Sequence, residues 1–154
     1  PSYALNLAQL GALCISNLCA TKPIISKICN SNDNPYIENS LQGLNKNVYL
    51  NKYSIDGGKW YQKLAAVSVY KKTNKNPILI TLHTQYWDTP TINGTTYSID
   101  LYQITNKNGK IQVTDISKIL GDKQSGLDGV SDDYILFDLK NIALIKKWLD
   151  KNYK

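Results

Sequence analysis

The chain holds a single histidine, His83, so any Ser-His or Cys-His mechanism must pass through it. It lies in ILITLHTQYW. There a period of two puts Leu79, Thr81, His83, Gln85 and Trp87 on one face of a strand and Ile78, Ile80 and Leu82 on the other. The mixed face reads as the outer, partner-facing one. No G-x-S-x-G elbow is present, so a structural or interface role for His83 is expected over a catalytic one. Carboxylates cluster at Asp122, Asp128, Asp132 and Asp133 in GDKQSGLDGVSDD, where Asp and Gly also serve turn formation. Paired carboxylates can run glycoside hydrolysis, and clustered ones can bind calcium. Here the spacing lacks the alternating ligands and terminal Glu of an EF-hand, and the one glutamate, Glu38, has no partner in the pattern. Turn chemistry is the expectation, with no catalytic residue, metal or cofactor assigned.

Cys14, Cys19 and Cys29 fall within sixteen residues, without the C-x-x-C or Cys/His spacing of a zinc or redox site. Leu7, Leu10, Cys14 and Leu18 make a helical stripe, and Pro23 opens a second helical stretch through Ile24, Ile25, Ile28 and Cys29. The expectation is an N-terminal helical hairpin over residues 1–29, turning near residues 21–22. Cys14 and Cys29 are then equidistant from the turn and are the expected disulfide, with Cys19–Cys29 as the alternative. Cys14 and Cys19, five apart on one helix, diverge and should not bond. Three buried thiols of a cytosolic core are the other reading. A disulfide clip points to a periplasmic or secreted protein whose signal peptide has been removed.

The aromatic set is eleven Tyr and three Trp against one Phe, so most rings carry a polar tip suited to a wet contact surface. Trp60-Tyr61 and Tyr86-Trp87-Asp88 fall on neighbouring strands with Tyr97 and Tyr102. In a strand adjacent rings face opposite ways, leaving one of each pair available.

These residues need a scaffold. From residue 47 the pattern is of strands: NVYLNKY, KWYQKLAAVSVYK, ILITLHTQYW, then TYSIDLYQIT and KIQVT around the hairpin turn Asn108-Gly109. A short helix is expected at DISKIL with Asp115 as N-cap, a loop at residues 121–133 and a last strand at YILFDL. Residues 140–152 form an amphipathic helix with Ile142, Ile145, Trp148 and Leu149 on one face. The fold class predicted is α+β, one domain over 1–154. It comprises the helical hairpin at 1–29, an antiparallel meander of five or six strands over 46–138, and a C-terminal helix packed on the sheet.

Composition bounds the partner. Net charge is +6 and lies in residues 1–77, which hold nine Lys against Asp33, Glu38 and Asp56; residues 78–154 balance nine Lys with nine Asp. The chain has no arginine, which speaks against base-specific nucleic-acid readout through the guanidinium fork. No apolar run approaches the length of a spanning helix.

The segments YSIDLYQITNKNGKIQVTDI, GLDGVSDDY and LFDLKNIALIKKWL loosely resemble small bacterial periplasmic immunity and inhibitor proteins, such as those of type VI secretion toxin–immunity systems. The resemblance implies a protein that occludes another protein's active site and needs no catalytic residues of its own. The function expected is non-enzymatic: binding of a secreted toxin or cell-wall hydrolase through His83, Tyr86, Trp87 and Asp88, with Asp128, Asp132 and Asp133 reaching a cationic rim. A carbohydrate or envelope-polymer binding module is the alternative, and an enzyme using His83 with an aspartate is a third.

Overall fold

The structure, a computed structural model, describes residues 3–6, 13–15, 18–20, 24–31, 34–42, 47–54, 62–107 and 110–154. They belong to two compact units, Pro1–Leu64 and Ala65–Lys154. Antiparallel sheet dominates both, and the expected α+β class with a helical hairpin is corrected.

In the first unit the strands are β1 (Tyr3–Asn6), β2 (Leu13–Ile15), β3 (Leu18–Ala20), β4 (Ile24–Ser31), β5 (Asn34–Gln42) and β6 (Asn47–Ser54). Four of them form a sheet in the order β1-β4-β5-β6, and β2 pairs with β3. The predicted helical hairpin over 1–29 is therefore absent from the described residues. Ile24, Ile25 and Ile28 fit the helical spacing, yet β-branched side chains are stiff in a helix and pack well on a pleated surface. β4 pairs β1 on one edge and β5 on the other, and that tertiary pairing overrides the weak helical period. Ile37, Asn39 and Leu41 alternate inward along β5. A bulge lets Asn39 oppose Asn51 while Ser40 opposes Tyr49, so Leu50 is the extra residue and both Leu50 and Asn51 are buried. Asn39 Nδ2 donates to Asn51 Oδ1 at 2.7 Å.

The second unit is built on a long strand, β9 (Asn93–Lys107). One edge of it pairs with β8 (Ile78–Asp88), which neighbours β7 (Lys63–Tyr70). The other edge is shared end to end by β11 (Ser125–Ser131) and β10 (Lys110–Asp115), and β12 (Asp133–Ile135) closes the sheet beyond β11. The predicted loop at 121–133 is thus corrected to a 3-10 helix, Ser117–Gln124, followed by β11. Asp115 does not cap that helix in the N-cap position; Ile116 occupies it, while Asp115 Oδ1 accepts from the Ser117 N–H at 2.8 Å.

Ile78, Ile80 and Leu82 of β8 and Ile99 and Leu101 of β9 share a face, beneath Leu120, Phe137, Leu139, Ile145 and Leu149. The last two come from α1 (Ile142–Asn152), capped by Asn141 Oδ1 accepting from the Leu144 N–H. Polar ties hold the helix in place: Tyr70 Oη donates to Asp150 Oδ1 at 2.7 Å, and Lys72 Nζ donates to the Tyr153 carbonyl at 2.8 Å. Burial, with the Asp150 carboxylate beside it, pushes the Tyr70 phenol up to about 12.

Candidate functional site

β8 and β9 meet in a hairpin whose tip is tied down. Thr89 N–H donates to the Ile92 carbonyl at 2.9 Å, the Ile92 N–H donates to Thr89 Oγ1 at 3.0 Å, and Asn93 Nδ2 donates to Asp88 Oδ1 at 3.2 Å. From this tip the antiparallel register carries three rows across the sheet. Tyr86 opposes Thr95, which opposes Asp128; Trp87 opposes Gly94, then Gly129, then Ile135; Asp88 opposes Asn93, then Val130, then Tyr134. Residues as far apart in the chain as Trp87 and Ile135 are so brought to one end of one sheet.

Two glycines make the middle row possible. A Cβ on Gly94 would lie 2.4 Å from the Asp128 carbonyl oxygen, and one on Gly129 would lie 2.2 Å from that of Asn93. Their φ values of 143° and 157° also disfavour any side chain. The backbones of β9 and β11 therefore touch where side chains would have filled the gap.

Large apolar groups are left in solvent at this end: Tyr134 is 70% exposed, Leu136 67%, Tyr86 63%, Val130 46% and Ile135 40%. Tyr86, Val130 and Tyr134 share the face that carries the core, at the point where the sheet runs out from under its cover. Tyr97 stacks on Phe137, ring centroids 5.4 Å apart, and marks the edge of that cover. Trp87 is half-buried on the opposite face, its Nε1–H donating to Thr96 Oγ1 at 3.0 Å.

The charge at this end is negative although the chain is basic. Residues 84–98 and 125–139 contain five aspartates and no lysine. Asp128 pairs with Lys140 at 3.2 Å and Asp138 with Lys123 at 2.8 Å. Asp128 is held below the usual carboxylate range by the Phe137 N–H donated to its Oδ1 and, after that, by Lys140. Among the described residues no lysine pairs with Asp88, Asp132 or Asp133, all three of them exposed. Asp132, at φ 62°, turns the chain from β11 into β12.

Of the residues expected at a contact surface, Tyr86, Trp87, Asp88, Asp128, Asp132 and Asp133 are gathered here. His83 is not. It lies on a face expected to be open, but Leu79, Thr81 and His83 are each 0% exposed, because β8 is buried on both faces over Ile78–His83. Burial drives the imidazole down to about 3, so it is neutral near pH 7 and too weak a base to take a proton from a substrate hydroxyl. It is not a free group either, having a partner within the chain. Val130, Tyr134, Ile135 and Leu136 were missed. YILF is apolar at every position, and an unbroken run has no period that tells an inward residue from an outward one.

The side chains of Cys14 and Cys29 lie outside the described residues, and so does the pairing expected of them. Trp60 and Tyr61 lie outside them too. Among the described residues no His, Cys, Asp and Glu side chains group in threes or more to hold a metal ion. No helix among them is long and apolar enough to cross a membrane. In comparisons with known proteins, the chain matches no family model, no curated protein and no solved structure.

Proposed function

We propose that this chain is a non-enzymatic binding protein whose contact surface is the exposed end of its larger sheet. The observation that carries the reading is the exposure of Tyr86, Val130 and Tyr134 on one face of that end, with Ile135 and Leu136 also exposed there, beside three exposed aspartates with which no lysine among the described residues pairs. A cluster of large apolar side chains rimmed by charge is the usual make-up of a protein–protein contact. The rim selects a partner with lysine or arginine around an apolar depression. The specific form proposed is an immunity or inhibitor protein that covers a secreted toxin or cell-wall hydrolase outside the cytoplasm. That specific form rests on the resemblance of residues 95–150 and on the cysteine content.

Envelope-polymer binding is the lesser reading. Sugar rings stack on flat aromatic faces, whereas this end of the sheet exposes two tyrosines among the aliphatic side chains of Val130, Ile135 and Leu136. The test is capture from secreted and periplasmic fractions of the source by the intact chain, with purified peptidoglycan in parallel. One protein at equal stoichiometry, lost when Tyr134→Ser and Leu136→Ser are combined, is the expected result. Retention on peptidoglycan alone would overturn the reading in favour of the polymer.

A further inference from the structure

The register of the β2–β3 pair sets Cys14 directly opposite Cys19, flanked by Leu13 opposite Ala20 and Ile15 opposite Leu18. We propose that Cys14 and Cys19 form a disulfide across this hairpin, and that Cys29 remains a thiol. Opposed positions of an antiparallel pair lie on the same face with Cα atoms about 4.5–5.5 Å apart. A disulfide spans Cα separations of about 4.4–6.8 Å, so either kind of opposed pair can be bridged without moving the backbone. Cys29 has a different place: it lies on β4, in the four-stranded sheet, opposite Tyr36 of β5. No described register sets it opposite either of the other cysteines. Cys14 and Cys19 stand on paired strands, not on one helix. Five positions apart on a helix they diverge, whereas in the register of β2 and β3 they stand directly opposite each other.

Oxidised glutathione can supply the chemistry. One cysteine thiolate attacks its disulfide, releasing one glutathione thiol and leaving a mixed disulfide; the second cysteine then displaces the other glutathione. Cys14 and Cys19 together lose two electrons and two protons, and the glutathione disulfide is reduced to two thiols. The bridge closes across four intervening residues, so its formation needs no assembly of distant segments.

The sequence makes the test direct. Lys22 precedes Pro23 and resists trypsin, and cleavage after Lys27 places Cys14 and Cys19 on peptide 1–27 and Cys29 on peptide 28–46. The intact chain is equilibrated with oxidised and reduced glutathione, alkylated with iodoacetamide, digested without reduction and weighed. The expected products are peptide 1–27 unalkylated and lighter by two hydrogens, and peptide 28–46 alkylated at Cys29. Peptides 1–27 and 28–46 joined by a disulfide, or alkylation of all three thiols, would overturn the proposal. A Cys29→Ser chain checks it independently, since it should still oxidise, whereas a bridge involving Cys29 could not form.

Discussion

His83 contributes stability only while it is neutral. Its folded value is pushed down to about 3 by burial, from an ordinary 6.5. The unfolded chain therefore binds the extra proton first as pH falls. The contribution is complete above about pH 6.5, is withdrawn between there and about pH 3, and amounts to a few kcal/mol at most. His83→Gln keeps a polar group of similar size that does not titrate. Thermal melts of that variant should lose stability less steeply than the parent's between pH 6.5 and 4, and equal slopes would mean that the imidazole is not sealed. Asp128 has the opposite sign of titrating charge and the same acid sensitivity. A depressed carboxyl stabilises above its unfolded value and stops doing so as pH falls through its folded one. Because the Phe137 N–H is the larger cause and Lys140 a further one, Lys140→Met should raise the Asp128 value without restoring it to the ordinary range. Carboxyl NMR titration reads this; full restoration would assign the whole effect to Lys140.

At the level of elements, the end of the sheet depends on β9 and β11 touching at Gly94 and Gly129. Gly129→Ala would set a methyl 2.2 Å from the Asn93 carbonyl oxygen, and backbone cannot give way there. The expected cost is about 3 kcal/mol or more, read as a lowered urea midpoint. A change under about 0.5 kcal/mol would mean that the two strands are not in the described register. The approach of Gly129 to Gly94 is not legible in the sequence, because GLDGVSDD carries every mark of a loop: four polar or acidic residues and two glycines with no alternation. Its strand is supplied by β9, whose exposed edge accepts it. The central strands were legible, since ILITLH and TYSIDLYQIT are β-branched and apolar and flank turn residues. The C-terminal helix was legible for the same kind of reason, with Ile145 and Leu149 at one helical spacing and buried together. The first 29 residues were not. Their apolar positions fit periods near two and near four, and pairing partners far along the chain decide between them. At the site, the sequence placed Tyr86, Trp87 and Asp88 on one strand, but only the register β8-β9-β11-β12 joins them to Val130 and Tyr134.

For the molecule as a whole, charge has two roles. The excess of lysine lies in residues 1–77, while the exposed apolar end of the larger sheet is rimmed by aspartate. Replacing Asp132 and Asp133 together by Asn should slow partner association and flatten its salt dependence, with dissociation changed little. Stopped-flow rates at two ionic strengths test this, and an unchanged association rate would remove the rim from recognition. The apolar centre should behave differently, as the source of affinity. The most direct measurement is the equilibrium affinity of the captured partner for two double variants of the intact, folded chain. One is Tyr134→Ser with Leu136→Ser at the sheet end. The other is Ile119→Ser with Leu144→Ser, exposed apolar residues of the 3-10 helix and α1. The first is expected to weaken binding by about a hundredfold, as loss of central anchors does, and the second to leave it unchanged. Equal affinities for the parent and the first variant would contradict the account and place the contact surface elsewhere.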